Sequence, residues 1–377
     1  MEKELDHKTI VIDNGSRYTK AGFAGDDLPR SVFETVIGKP INPRIFIGSE
    51  KKEYYIGDEA RSKMGILRLR YPIENGTVSN WDEMSKIWKF IFEEELRVES
   101  EEYSVLLSEK SFNPKSNREK AMEIMFEEFK VPGFCLVNSG VLSLYSTGRT
   151  TGVVVEIGDS VLQSIPIYEG FSLNHSINTI FLGGRDLNDY FIKILCERFS
   201  LITDGSYRDG YREIKEKVCY VALDFEKEMD VSNQPNVEKD YEFSQGEIVT
   251  FGNERFRCPE VLFQPSFLGM EQPGVHEMIY NSIIHSDLDN QSEFFRNIVL
   301  SGGSTLFPGI KERIQKDVSD LVPKNVEVKV IAPSEREYAV WIGGSILGSI
   351  FDFEKMKVSK NEYLEFGNKI IDRKCFF

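Results

Sequence analysis

Two stretches of this chain, far apart in sequence, are built to one plan. Thr9–Phe23 (TIVIDNGSRYTKAGF) is a β-branched run ending at Asp13, a turn containing Gly15 and Ser16, and a returning strand that carries Lys20. Gly152–Gly170 (GVVVEIGDSVLQSIPIYEG) repeats it with Val153–Val155, Glu156, a turn at Gly158 and Asp159, and an apolar return from Val161 to Tyr168. A hairpin bent sharply at glycine aims successive backbone N–H groups at one point, where they can cradle phosphate oxygens. An acidic residue at the strand end can hold a magnesium ion through water. One such hairpin is equally well explained by turn conformation alone. Two of them, each followed by mixed strand and helix, predict two related α/β halves facing each other across a nucleotide.

The chain has the material for two lobes: 377 residues, 41% of them hydrophobic, bury a large core. Its formal net charge of −15 disfavours direct nucleic-acid or anionic-membrane binding, which need basic surface, and favours basic partners. Cys135, Cys196, Cys219, Cys258 and Cys375 lack metal-ligand spacing and are odd in number, which reads as reduced thiols. No apolar run approaches membrane-spanning length and the start, MEKELDHK, is too polar for a signal peptide, so a soluble intracellular protein without membrane insertion is expected.

Further elements follow from periodicity. Asn80–Glu94 reads as an amphipathic helix, with Asn80 and Glu83 spaced as a capping box and Trp81, Met84, Ile87, Trp88 and Ile91 on its core face. Asn113-Pro114 starts a second helix that buries Ala121, Ile124, Met125 and Phe129, and a third ends near Gly148. No Pro/Ser-rich linker separates the halves. Gly183-Gly184 opens a helix with Leu187, Phe191, Ile194 and Leu195 in the core; Arg212–Tyr220 is helical, and its charges fit a solvated face as well as a site. Asn297–Gly303 is a buried strand ending in Gly-Gly, where α/β sheets bind ligands. Gly302, Gly303 and Ser304 would bring backbone close to a nucleotide, with Leu306 and Phe307 against the base; a plain strand-to-helix turn is the other reading.

The motifs VIDNGS, AGFAGDD, GDEARSKMGIL, YPIENG, NREKAMEIMFEEF, VLSLYSTGRTTG, GGRDLNDY, LFQPSFLGME, VLSGGSTLFPGI, YAVWIGGSIL and RKCFF occur in this order from Thr9 to the C-terminus. In that order and spacing the chain resembles actin. The resemblance implies the α/β actin-like ATPase fold: two lobes, each with a mixed sheet and flanking helices, and a nucleotide cleft between them. It implies a small-lobe core at 1–34, 72–146 and 339–377 with an insert at 35–71, and a large-lobe core at 147–182 and 271–338 with an insert at 183–270. It makes Gly38–Gly57 the loop that one subunit inserts into the next. Pro43, Arg44 and the charged run Glu50–Glu53 there suggest a partner other than conventional actin.

By the same resemblance, Asp13, Gly15, Ser16, Arg17, Lys20, Gly158 and Asp159 surround the phosphates, and Asp13 and Glu156 hold Mg2+ (or Ca2+) through water. Gly184, Arg212, Lys215, Glu216, Gly302, Gly303, Ser304, Leu306 and Phe307 complete the ATP/ADP site. The departures fall where hydrolysis would occur. Glu156 replaces an Asp, Ser139 stands where the family has a water-positioning Gln, and Gln163 where it has a His. An attacking water neither oriented nor relayed reacts slowly. Arg17 and Ser160 replace glycines, and would be strained if those turns need φ > 0. Arg17 has two expected orientations, toward the γ-phosphate or onto Glu156. Glu337, in place of a Lys, should weaken nucleotide binding, and Asn75 replaces a His.

These features imply an actin-like cytoskeletal or complex subunit that binds Mg-ATP and is at most a slow ATPase. Its partners would be itself or other actins in filaments, or a multiprotein complex, together with actin-binding proteins. Its place would be the cytoplasm and cytoskeleton, with the nucleus as the alternative. A filament-forming actin with active hydrolysis is the second reading, and a small-molecule kinase of the same superfold a remote third.

Overall fold

Each hairpin becomes the centre of its own sheet. A computed structural model describes residues 9–42, 52–198, 208–230, 238–242 and 248–375. Expectations about Pro43, Arg44 and the first half of the charged run Glu50–Glu53 therefore lie outside the described residues. The chain divides into two units. The first comprises Met1–Thr150, Glu169–Ser172 and Tyr338–Phe377; the second comprises Thr151–Tyr168 and Leu173–Glu337.

Along the chain, the first unit opens with strands β1 (Thr9–Asn14), β2 (Tyr18–Phe23), β3 (Ser31–Glu34), β4 (Ile37–Pro40) and β5 (Tyr55–Ile56). Helix α1 (Gly57–Ser62), β6 (Leu67–Arg70), β7 (Ile73–Glu74), β8 (Thr77–Val78) and α2 (Trp81–Phe90) follow, then β9 (Ser104–Glu109), α3 (Lys115–Glu127), β10 (Gly133–Asn138) and α4 (Ser139–Tyr145). The second unit begins with β11 (Gly152–Ile157) and β12 (Leu162–Tyr168). After β13 (Phe171–Ser172), which belongs to the first unit, it continues with β14 (Asn178–Ile180), α5 (Gly184–Arg198), α6 (Arg208–Val218), α7 (Phe225–Asp230), β15 (Lys239–Glu242) and β16 (Ile248–Phe251). It ends with α8 (Glu254–Glu260), α9 (Val275–Ile284), α10 (Leu288–Arg296), β17 (Ile298–Ser301), α11 (Ile310–Leu321) and β18 (Val330–Ile331). The chain then returns to the first unit with α12 (Ala339–Ser349), α13 (Phe353–Met356), β19 (Val358–Ser359), α14 (Lys360–Phe366) and α15 (Ile371–Lys374).

The two sheets share one topology. In the first unit the order is β19-β10-β9-β1-β2-β3, with β1 antiparallel to β2 and parallel to β9. In the second, β12-β11-β17-β18 run side by side, β14 pairs with β12, β11 is antiparallel to β12 and parallel to β17. In both sheets the opening hairpin lies beside a later parallel strand, as β2-β1-β9 in the first and β12-β11-β17 in the second, where β13 also adjoins β12. Both first strands are apolar on both faces, as strands covered by helices on two sides must be.

Helix α12 covers β1. Trp341 Nε1 donates to the Val11 carbonyl at 3.0 Å, and a Cβ at Gly344 would lie 2.6 Å from a Val11 methyl. A Cβ at Gly343 would sit 1.7 Å from the Leu142 carbonyl oxygen, so α12 and α4 touch backbone to backbone and only glycine fits there. In the second unit Val153, Val155 and Ile157 of β11 pack with Leu187, Phe191 and Ile194 of α5, Met278 and Ile279 of α9, and Ile314 of α11.

Helix α2 forms where the apolar stripe predicts, with Met84, Ile87 and Trp88 buried, and the chain continues as a π-helical turn over Ile91–Glu95. Only half of the expected capping box is made. Asn80 accepts from the Glu83 N–H at 3.1 Å, but the buried Glu83 carboxylate goes to Arg70 at 3.2 Å and Lys39 at 3.8 Å. A buried carboxylate gains more from two cations than from one backbone N–H.

Candidate functional site

At the first hairpin the Gly15 N–H donates to the Tyr18 carbonyl at 3.1 Å, closing the turn between Asn14 and Thr19. Asp13, at the end of β1, lies opposite Lys20 and is buried; its Oδ2 accepts from Lys20 Nζ at 2.9 Å and its Oδ1 from Ser108 Oγ at 2.6 Å. Ser108 is a residue sequence reasoning missed: it reaches Asp13 only because β9 runs parallel beside β1. Thr35 ties the turn down, donating its hydroxyl to the Gly15 carbonyl at 2.8 Å and its N–H to the Arg17 carbonyl at 2.9 Å. Ser16 Oγ accepts from the Gly76 N–H at 3.1 Å.

Arg17 finds a partner that neither sequence expectation named. Its Nη2 donates to Glu34 Oε1 at 2.8 Å, and Arg61 Nε stands 3.7 Å from the other oxygen of that buried carboxylate. Its backbone carries no strain either: neither Arg17 nor Ser160 has positive φ, so the cost expected for non-glycine residues in these turns does not arise. Positive φ falls instead at Asn75 (50°) and Gly76 (71°), the two-residue turn joining β7 to β8. That is the turn for which Asn-Gly is the preferred dipeptide, and it delivers the Gly76 N–H to Ser16.

The second hairpin repeats the closure, with the Gly158 N–H donating to the Val161 carbonyl at 3.0 Å. Glu156 occupies the place of Asp13 and lies opposite Gln163, the place of Lys20. Gln163 is buried, and its Nε2 donates to Thr179 Oγ1 on β14 at 2.8 Å. The turn is enclosed by other backbone. The Gly184 N–H donates to the Gly158 carbonyl at 3.0 Å and the Arg185 N–H to the Asp159 carbonyl at 2.8 Å, while a Cβ at Gly183 would lie 2.5 Å from the Asp159 carbonyl carbon. Ser304 Oγ donates to the Gly158 carbonyl at 2.8 Å. Gly302 has φ 91°, and a Cβ there would lie 2.4 Å from the Ile157 carbonyl oxygen. The Asp186 carboxylate accepts from the Gly183 N–H at 2.9 Å, and burial pushes its pKa up.

Helix α6 brings Lys215 to this group. The buried Lys215 Nζ donates to the Gly184 carbonyl at 3.3 Å and stands 5.7 Å from the centre of the Phe307 ring. Gly158, Asp159, Gly184, Lys215, Gly302, Ser304 and Phe307 are thus assembled within the second unit. Arg212 lies 3.9 Å from Glu216, whose side chain is exposed, and Leu306 is 39% exposed. Ser139 opens α4 at the carboxyl end of β10, on the same sheet edge as Asp13 and Ser108, with the Asn138 side chain capping the helix through the Gly140 N–H at 2.9 Å. That edge is where α/β sheets bind ligands.

A model of the actin family matches residues 4–376. The chain belongs to the actin family. Its mixed α/β architecture is the actin-like fold, and members of this family generally bind a nucleotide with a divalent metal. The residues present suit such a group. Asp13 and Asn14 offer hard oxygen donors, and Asn14 Oδ1 is a buried acceptor with no hydrogen-bond partner among the described residues. Among those residues, no three His, Cys, Asp or Glu side chains gather to hold a metal directly. No helix among them is long and apolar enough to cross a membrane.

Proposed function

We propose that this actin-family chain is a subunit of a filament or multiprotein complex that binds ATP or ADP with Mg2+ or Ca2+ and hydrolyses ATP slowly or not at all. The observation that supports it is the contrast between two equivalent positions. Lys20 is a cation held against Asp13, whereas Gln163, opposite Glu156, is a buried neutral amide committed to Thr179. In this reading Asp13, Gly15, Ser16, Arg17, Lys20, Gly158 and Asp159 attend the phosphates. Asp13, Asn14 and Glu156 accept the waters of the ion, which neutralises phosphate charge when bound. Gly184, Arg212, Lys215, Glu216, Gly302, Gly303, Ser304, Leu306 and Phe307 serve the base and sugar. Residues 35–71 and 183–270 act as inserts in the two units, and the protein works in the cytoskeleton.

Slow hydrolysis follows from hydrogen-bond capacity. With one N–H given to Thr179, the Gln163 amide keeps a second N–H and its carbonyl oxygen, and neither takes a proton from an attacking water at neutral pH as an imidazole would. The Ser139 hydroxyl is a short group in place of a long amide. Single-turnover phosphate release tests the reading. Ser139→Gln with Gln163→His should raise the rate by at least about tenfold and by more than the product of the single changes, because groups holding one nucleophile act as a unit. Adding Glu156→Asp should raise it further. A parent that already releases phosphate as fast as the triple variant would overturn the slow-ATPase reading in favour of an active filament ATPase. Pelleting at high concentration separates a polymer from a complex subunit.

A further inference from the structure

The end of β9 supports the first hairpin at two points. Residues two apart along a strand share a face, and here Ser108, in β9, and Lys110, just past its end, turn to the same region. Ser108 donates to Asp13, whereas Lys110 reaches the Asn75-Gly76 turn between β7 and β8. Lys110 Nζ donates to the Asn75 carbonyl at 2.6 Å, and its stem lies against the turn, where a Cβ on Gly76 would come within 2.9 Å of Lys110 Cδ. The Asn75 carbonyl and the Gly76 N–H are the two ends of one trans peptide group, so they point opposite ways. That N–H donates to Ser16 Oγ at 3.1 Å. Ammonium, peptide and hydroxyl therefore form a single chain, from Lys110 through the turn to Ser16 in the first hairpin.

Resting on the nucleotide-binding reading above, we propose that Lys110 is a positioning residue of the site: its charge, acting through the peptide between Asn75 and Gly76, polarises the N–H that holds Ser16 and so sets the Ser16 hydroxyl toward phosphate. A cation on a peptide oxygen draws density along the amide resonance and makes the N–H at the other end a stronger donor, so that each bond in the chain strengthens the next. Burial desolvates the ammonium, which pulls its pKa down and leaves its field on the carbonyl less screened. The direction of the last bond gives it a function. Ser16 Oγ accepts from Gly76, so the hydroxyl hydrogen serves as a donor, the polarity that an anionic oxygen requires. Lys20 spends its charge on a carboxylate; Lys110 applies its charge to a peptide.

The test separates charge from packing in the full chain. Lys110→Met keeps a stem against Gly76 and removes the ammonium, Lys110→Arg returns a cation, and Lys120→Met removes the same charge from a surface pair with Glu123. Equilibrium titration with a fluorescent ATP analogue and Mg2+ should show Lys110→Met about tenfold weaker than the parent, with Lys110→Arg and Lys120→Met within about twofold of it. A second readout needs no nucleotide. The sequence has two Asn-Gly dipeptides, at 14–15 and 75–76, so labelling Asn with carbon-13 and Gly with nitrogen-15 selects two amide resonances, told apart by Asn75→Asp. The Gly76 amide proton should move upfield in Lys110→Met, stay near its parent position in Lys110→Arg, and leave Gly15 as the reference. If Lys110→Met does not fold, Lys110→Gln replaces it in both measurements. Parent-like affinity without the charge, a Gly76 resonance that does not move, or a loss that Lys110→Arg fails to recover would each overturn the proposal and leave the nucleotide reading standing. A parent that binds no nucleotide would overturn both.

Discussion

At the first hairpin the residue facing the strand-end carboxylate is Lys20; at the second it is Gln163. The backbone is the same in both: a glycine N–H closes the turn onto a carbonyl three residues on, and the next parallel strand lies alongside. The side-chain surroundings are not. Asp13 is held by a cation and a hydroxyl, so its charge is compensated within its own sheet. The second turn is enclosed by glycine backbone at Gly183, Gly184 and Gly302, and its strand-facing amide is satisfied by Thr179. The first hairpin holds its strand-end carboxylate with a cation, whereas the second has a neutral amide at that place and its ion pair, Arg185 to Asp159 at 3.3 Å, in the turn itself, so one backbone geometry carries two different chemistries.

The largest effect should come from making the first hairpin like the second. Lys20→Gln removes the cation from a buried carboxylate, which typically costs about 3 kcal/mol. Affinity for a fluorescent ATP analogue, followed by equilibrium titration, should fall about a hundredfold. Unchanged affinity would mean that charge at this position does not set nucleotide binding. Next comes a test of close packing at the second hairpin. Gly302→Ala combines positive φ with a Cβ pressed on the Ile157 carbonyl and should lower stability by about 2–3 kcal/mol. Gly303→Ala, with nothing within 4 Å of its Cβ and no positive φ, should change it by less than about 0.5 kcal/mol. Chemical denaturation compares the two, and equal losses would show that crowding at Gly302 is not what holds the turn. The smallest effect tests strain. Because the Arg17 backbone is not left-handed, Arg17→Gly should destabilise by about 1 kcal/mol through loss of the Glu34 pair and added chain freedom. A gain in melting temperature would show that the turn is strained after all.

What could be read from the sequence was local. The two hairpins, the α2 stripe and the helix opened by Gly183-Gly184 depend on residues a few positions apart, and each forms as its spacing predicts. The partners that fix the site are distant. Ser108 meets Asp13 across 95 residues, and no local pattern marks a serine at the end of β9. Glu34 draws Arg17 because β3 lies beside β2, an adjacency invisible until the strands are paired. Asn75-Gly76 is a different case, since the dipeptide is a strong hairpin signal in itself. Its flanking strands are only two residues each and give little alternation to support that reading. Glu83 kept its helix position but gave its carboxylate to Arg70 and Lys39, a choice made by tertiary neighbours.

The glycine contact between α12 and α4 has a consequence for how the chain is made. β1 and α4 lie in the first part of the chain, while the helix that seals them is in Tyr338–Phe377, after the whole of Leu173–Glu337. During synthesis the second unit has all its strands before the first has its cover, so the apolar face at Val11 stays open to water and to other nascent chains throughout that interval. Such late, long-range closure slows folding and prolongs exposure to aggregation. A helix made after the whole of Leu173–Glu337 seals a strand made well before it.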